Sequence, residues 1–137
     1  MSKYKSQKVT YNNLQFDSKF ECIYYAYLQE LVKKGEITNL KRQIKYELLT
    51  RQTDSIGKFK YRPVIYTSDF EYDDLEQVHH TIDTKGFKTQ EFRIKQKMFY
   101  YITNRDIECV SYKEAKKNDL FNQIDKMMKN YFKVNGV

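Results

Sequence analysis

Within residues 63–85, PVIYTSDFEYDDLEQVHHTIDTK, Asp69, Asp83 and Lys85 have the types and spacing to do chemistry together. Two carboxylates and an amine on one face would suit a divalent cation within a phosphate-binding surface. Whether they share a face depends on the strands that carry them. Residues 64–72 alternate Val64, Tyr66, Ser68, Phe70 and Tyr72 with Ile65, Thr67, Asp69 and Glu71, and residues 78–85 alternate Val78, His80, Ile82 and Thr84 with His79, Thr81, Asp83 and Lys85. The period of two and the β-branched and aromatic content predict two strands, with the polar run DDLEQ as the hairpin loop between them. Asp69 and Asp83 are an even number of residues apart, so any register whose paired positions sum to an even number puts both on one face. Lys85 joins them there, because residues i and i+2 of a strand share a face. The same residues also read as solvent-facing strand acids with Lys85 as a cross-strand ion-pair partner, and only their context separates the two readings.

Charge distribution supplies part of that context. The 137 residues carry 25 Lys and Arg against 18 Asp and Glu, a net charge of +7. From Lys33 to Arg62 there are nine basic residues and three acidic ones, whereas Asp69 to Asp83 holds six acids and no Lys or Arg. Beyond Lys85 the balance turns basic again. An acid cluster between basic segments fits a metal site on a surface that binds nucleic acid, and the candidates for tracking phosphates are Lys41, Arg42, Lys45, Lys58, Lys60, Arg62, Lys88, Arg93 and Lys97. The alternative is ordinary solvated charge around an acidic turn.

The elements that must position these residues follow in order. Lys3, Lys5 and Lys8 mark residues 1–15 as a basic arm, and residues 16–137 as a single domain. Ser18 and Glu21 have capping-box spacing ahead of Phe20, Ile23, Tyr24, Tyr27, Leu28 and Leu31, which predicts a helix from Ser18 to Lys34 closed by Gly35. Residues 37–41 read as a connector, Ile44, Tyr46 and Leu48 alternating with Lys45, Glu47 and Leu49 as a first strand, and 52–57 as its loop, so the first three strands form an antiparallel meander. Gly86 ends the third strand. Thr89 caps a second helix reaching Thr103 with Phe92, Phe99 and Ile102 on one face, and residues 106–112 form a fourth strand parallel to the third. A last helix, residues 118–132, carries a wide apolar stripe that either covers the sheet or makes a dimer contact.

Several chemistries are excluded or weakened. The four glycines build neither a P-loop nor a dinucleotide fingerprint, and there is no Cys-x-x-Cys or His-Glu-x-x-His pattern. No apolar run nears the roughly 20 residues of a membrane span, and Cys22 and Cys109 lie in apolar surroundings, so we expect a cytoplasmic protein with reduced thiols. His79 and His80 point to opposite faces of one strand and read as structural.

An acid two residues before a lysine occurs three times, at Asp17/Lys19, Asp83/Lys85 and Glu114/Lys116, but only Asp83/Lys85 lies on a predicted strand beside a second carboxylate. Helix, three antiparallel strands, helix and strand, with Asp69 on the second strand and Asp83-Thr84-Lys85 on the third, resembles the PD-(D/E)xK, or restriction-endonuclease-like, nuclease superfamily. The combination FDSKFE (16–21), GEITNLKRQIKYEL (35–48), YTSDFEY (66–72) and IDTKGFKT (82–89) is similar to a family of small phage and prophage proteins related to Holliday-junction-resolving endonucleases. Ser68 stands where the pattern usually has Pro, and Asp83 where it more often has Glu.

The resemblance implies an α/β fold with an αβββαβ core, a mixed four-stranded sheet flanked by helices, and a C-terminal helix outside it. It further implies a Mg²⁺-dependent DNA endonuclease, with Mn²⁺ as a substitute metal, acting on branched or Holliday-junction DNA, and as a homodimer where both strands of a junction are cut. Glu21, Asp69 and Asp83 would be the metal-binding acids, the Thr84 carbonyl a further ligand and Lys85 the catalytic amine; Gln43 matches a polar position near the first strand. The other reading is a non-catalytic DNA-binding or phage regulatory protein that keeps the nuclease fold.

Overall fold

The computed structural model describes residues 7–85 and 87–137. The chain runs β1 (Val9–Tyr11), β2 (Leu14–Phe16), α1 (Lys19–Lys33), β3 (Ile37–Arg42), β4 (Lys45–Leu49), β5 (Gln52–Thr53), β6 (Phe59–Tyr61), β7 (Val64–Thr67), β8 (Phe70–Asp74), β9 (His79–Thr84), α2 (Gln90–Thr103), β10 (Ile107–Val110), α3 (Tyr112–Ala115) and α4 (Asp119–Val134). The central mixed sheet has the order β10-β9-β8-β3, with β10 parallel to β9 and the other pairs antiparallel. This is the expected α/β architecture, a mixed four-stranded sheet flanked by helices with a helix at the C-terminus.

Its backbone is one long, bent hairpin. Arg42 pairs with Phe70 where β3 meets β8, Lys45 with Thr67 where β4 meets β7, and Gln52 with Tyr61 near the far end. The first two pairs share a register, and the bend between them is held by Gln43 N–H donating to the Asp69 carbonyl at 3.1 Å and Ser68 N–H to the Ile44 carbonyl at 2.9 Å. Gln43 has a φ of 52°, the left-handed backbone that lets the strand turn at this level. At the tip, the Asp54 carboxylate accepts the N–H groups of Ile56 and Lys58. The half beyond the bend leaves the central sheet as a two-stranded ribbon.

Two sequence expectations are corrected here. Residues 64–72 are two strands, because Asp69 N–H turns from the β4 ladder to donate to the Ile82 carbonyl at 3.1 Å. The apolar alternation is continuous across that point and conceals the change of partner. Residues 37–41 belong to a strand at one edge of the sheet, whose register shifts between Thr38 and Lys41 around Asn39 at φ 55°. That irregularity breaks the period of two by which strands are read.

The described part of the expected basic arm contains two short strands. Residues 9–16 form a hairpin that buries Val9 and Phe16 in the main core. Lys3 and Lys5 of that arm, and the strand-ending Gly86, lie outside the described residues.

Helix ends follow their capping residues. Ser18 accepts from Glu21 N–H at 3.1 Å to open α1, and Thr89 accepts from Phe92 N–H at 3.0 Å to open α2. The turn after α1 has Gly35 at φ 75° and Glu36 N–H returning to the Leu31 carbonyl at 2.9 Å, a backbone path that a residue without Cβ takes at least cost. Ile102 is exposed and does not join Phe92 and Phe99 in the core.

Two apolar cores sandwich the sheet. One packs Cys22, Ile23, Tyr24 and Leu28 of α1 with Phe70 and Ile82 of the sheet and with Phe121, Met128 and Phe132 of α4. The apolar stripe of α4 therefore covers α1 rather than the bare sheet. The other packs Phe92 and Phe99 of α2 against Leu48 and Tyr66 of the ribbon and Ile107 of β10. Among the described residues no helix is long and apolar enough to cross a membrane, and Cys22 and Cys109 are both free thiols.

Candidate active site

Asp69 sits at the bend of the long hairpin, between β7 and β8, and Asp83 sits on β9 facing the ribbon and α2. Together with Lys85 they line one cleft of about 360 Å³, whose walls include Tyr66 and Thr67 of β7 and Thr89, Phe92 and Lys95 at the start of α2. The register of β8 and β9 pairs Phe70 with Ile82 and Glu71 with Thr81, an even sum. Phe70 and Ile82 therefore point into the α1 core, while Asp69, Glu71, Thr81 and Asp83 belong to the opposite face.

Each carboxylate is held. The backbone N–H and the hydroxyl of Thr84 both donate to Asp69 Oδ2 at 2.7 Å. Asp83, with 4% of its surface exposed, accepts the Tyr66 hydroxyl on Oδ2 at 2.9 Å, and Lys85 Nζ stands 3.3 Å from its Oδ1. The Lys85 ammonium also lies 4.7 Å from the centre of the Phe92 ring, so the amine is fixed between an acid and an aromatic face.

Burial and the neighbouring Asp83 push the Asp69 carboxyl up to about 6, against the pull of Thr84 and Lys85. Glu21 is buried on α1, and burial followed by the charges of Asp69 and Asp17 pushes it up to about 8, with Arg42 pulling it down. Its Oε2 is buried without a hydrogen-bond partner and stands 4.0 Å from the Arg42 guanidinium. Glu21 thus does not complete a capping box with Ser18. Its charge is coupled to the two aspartates, yet it is not among the residues lining their cleft.

Among the described residues no three or more His, Cys, Asp and Glu side chains are placed to hold a metal ion as they stand. The donor chemistry still fits Mg²⁺, which is commonly held by one or two carboxylates together with water and substrate phosphate. Asp69 and Asp83 supply that pair, and the orphaned Glu21 oxygen is a third acid in their field. Thr84 meets Asp69 through its N–H and hydroxyl, which makes it the residue that positions the Asp69 carboxylate.

The expected phosphate-tracking residues divide by environment. Lys41, Lys45, Lys58, Lys60 and Arg62 are exposed along the hairpin. Arg42 is not free: its guanidinium lies 4.2 Å from the Phe16 ring centre and donates to the Gln15 carbonyl at 2.8 Å. It is an interior cation, because β3 turns that side chain toward α1 and the N-terminal hairpin. Arg93 and Lys97 line a separate cleft with Gln96, Tyr100 and Asp106, and Lys88 is half-buried at the start of α2. The α2 cation at the carboxylate cleft is Lys95, one helical turn from Glu91, whose carboxylate is 3.2 Å away. Gln43 acts through its backbone at the bend.

A second polar cluster escaped the sequence reading. Glu71, 2% exposed, takes the Tyr46 hydroxyl at 2.7 Å, Ser68 Oγ at 2.9 Å and His79 Nε2 at 2.6 Å. His79 Nδ1 continues to Asp73 at 2.7 Å, and Arg105 donates to Thr81 Oγ1 at 2.6 Å and to the Tyr46 hydroxyl at 3.2 Å. The parity of Glu71 with Asp69 was the available signal; its partner Tyr46 on β4, and Arg105 beyond Tyr46, come from long-range packing. His80 stacks on Tyr72 with ring centres 5.0 Å apart and bridges Asp74 and Glu108, so both histidines are tied into the sheet, as expected for structural residues.

The family model described as "Protein of unknown function (DUF1064)" matches residues 1–121, most of the chain and all of the candidate site. No curated protein and no solved structure matches the chain.

Proposed function

We propose that this chain, which belongs to the DUF1064 family, is a Mg²⁺-dependent DNA endonuclease of the PD-(D/E)xK kind that hydrolyses phosphodiester bonds in branched or Holliday-junction DNA. The observation that carries the reading is the meeting of Asp69, Asp83 and Lys85 in one cleft, with the lysine already at its acid. Asp69 and Asp83 would hold the ion, with Glu21 as the nearby buried acid and the Thr84 carbonyl as a further donor. Bound there, Mg²⁺, or Mn²⁺ in its place, would lower the pKa of a water and offset the charge that builds on the phosphate.

The chain's own groups do the rest. Thr84 and Tyr66 fix the two carboxylates so that little reorganisation is needed on binding. Lys85, pinned against Phe92, orients the attacking water or meets the phosphate charge, and Lys95 adds a cation on the wall. Symmetric cuts in a four-way junction would need two copies of the chain, so a homodimer belongs to this reading.

A non-catalytic DNA-binding protein is the second reading, favoured by the absence of an assembled three-acid set among the described residues. Nicking of branched DNA separates the two. Cleavage that requires Mg²⁺ or Mn²⁺ and falls by about a thousandfold in Asp83→Asn and Lys85→Ala, with binding retained, supports the enzyme. Equal behaviour of wild type and both variants removes it.

A further inference from the structure

Phe59 and Tyr61 stand on the same face of β6, with Lys60 between them on the other face beside Lys58 and Arg62. All three residues of β6 are exposed, and Tyr61 keeps 68% of its surface open. The Arg51 guanidinium lies 4.9 Å from the Phe59 ring centre, which presents that ring together with a cation. Among the described residues no aromatic or cationic side chain stacks on Tyr61. Asp54, the acid of the ribbon's outer part, is occupied by the turn N–H groups at the tip.

The ribbon is an extension of the walls of the carboxylate cleft. From Thr67, which lines the cleft, the chain runs back through Pro63 to Tyr61, a reach of at most about 20 Å in extended backbone. That is on the order of six phosphates along one strand of a duplex. The nearer part of the ribbon is packed on α2 through Leu48 and Tyr66, whereas the farther part, Arg51 to Arg62, leaves both rings exposed, with only Arg51 laid against Phe59. Arg51 lies on the aromatic face, and Lys58, Lys60 and Arg62 line the opposite face and edge of the same strand.

We infer that this outer ribbon is a stacking platform for unpaired bases at a branch point of DNA, with Tyr61 and Phe59 taking the bases and Lys58, Lys60, Arg51 and Arg62 holding the strands on either side. Exposed rings beside cations bind bases without reading their sequence, because every base offers a π-face. The platform therefore selects structure rather than sequence. It rests on the nuclease reading for its substrate and adds to it the element that distinguishes branched from linear DNA.

The test is binding, measured separately from cleavage. A four-way junction with 2-aminopurine at the branch point is titrated with full-length protein in Ca²⁺, beside a linear duplex of equal length. Wild type and Tyr61→Phe are expected to change the 2-aminopurine signal and to prefer the junction, whereas Tyr61→Ala loses the signal change and most of the preference, about tenfold. Lys60→Ala should weaken both DNAs alike and reduce the salt dependence. Tyr61→Ala with unchanged preference and signal overturns the platform, as does a wild-type dimer, seen by sedimentation, that Tyr61→Ala dissociates without altering junction preference. Junction preference through Tyr61 without cleavage under Mg²⁺ keeps the platform and removes the nuclease; absence of junction binding by wild type removes both.

Discussion

Thr84 grips Asp69 twice, through its backbone N–H and its hydroxyl, each 2.7 Å from the same carboxylate oxygen. Thr84 ends β9 and Asp69 lies between β7 and β8, so the bonds tie the bend of the long hairpin to the neighbouring strand. It fixes the Asp69 carboxylate beside Asp83 before any ligand arrives. Residues that orient a metal-binding carboxylate typically change metal affinity by about 10–100-fold when removed. Thr84→Val, which keeps the shape and the backbone bond, is therefore expected to raise the Mg²⁺ concentration needed for cleavage by about tenfold, with Thr84→Ser close to wild type. A metal titration of the cleavage rate reads this; equal midpoints for all three would remove the clamp.

Tyr66 is the counterpart on Asp83. Its hydroxyl donates to Oδ2 from within the α2 core, while burial and Asp83 raise its own pKa and keep it a donor. Tyr66→Phe leaves a buried carboxylate oxygen short of one partner and should cost about 1–3 kcal/mol of stability, measured by urea unfolding. A variant as stable as wild type would show that Asp83 finds another donor.

Metal and pH are linked through Glu21 and Asp69. Both carboxyls are raised, to about 8 and about 6, by burial first and then by neighbouring acids. The raised folded values mean that the proton-bound state stabilises the fold below the ordinary carboxylate range, and that this contribution is lost as pH rises toward each folded value. Added Mg²⁺ should therefore raise the melting temperature more at pH 8 than at pH 5. Glu21→Gln should stabilise the metal-free protein at pH 8, by about 2 kcal/mol, and weaken the metal response. Thermal unfolding across both conditions checks it, and a Mg²⁺ effect that is the same at both pH values goes against the linkage.

His80 and its partner Asp74 shift in opposite directions. Burial alone would lower the histidine, but the hydrogen bonds it donates to Asp74 and Glu108 overcome it and raise its pKa, while His80 and the loop N–H groups lower Asp74. The histidine's contribution is full below the ordinary His range and is lost as pH climbs through its raised folded value; that of Asp74 is present above the ordinary Asp range and lost in acid. His80→Gln should thus differ most from wild type in stability near pH 6 and converge with it by pH 9. A difference that grows with pH would contradict the assignment.

Much of this was legible in the chain itself. Ser18 and Thr89 announced their helices, and the even spacing of Asp69 and Asp83 anticipated a common face because the β8–β9 register has an even sum. What could not be read was partner exchange. Nothing local marks Ser68-Asp69 as the place where one strand leaves the β4 ladder for β9, or shows that Arg42 turns inward onto Phe16. The Glu71 cluster was hidden for the same reason, since Tyr46, His79 and Arg105 meet only in three dimensions.

Arg42 gives a direct contrast with its exposed neighbour. Arg42→Ala should destabilise the fold by about 1–3 kcal/mol through lost packing on Phe16 and an uncompensated Glu21. Lys41→Ala should leave stability unchanged and lower the salt dependence of DNA binding by roughly one phosphate contact. Unfolding and salt-dependent binding of the two variants separate the roles; reversed outcomes would mean that Arg42 reaches the phosphates.

The central claim is that Asp69 and Asp83 share a divalent ion, and anomalous diffraction from crystals soaked in Mn²⁺ tests it most directly. A peak is expected in the cleft, bonded to both carboxylates at about 2.1 Å, with Lys85 drawn off Asp83, and no peak there in Asp83→Asn. Mn²⁺ bound elsewhere, or a cleft in which Lys85 keeps its contact with Asp83 and no ion enters at saturating metal, would contradict it.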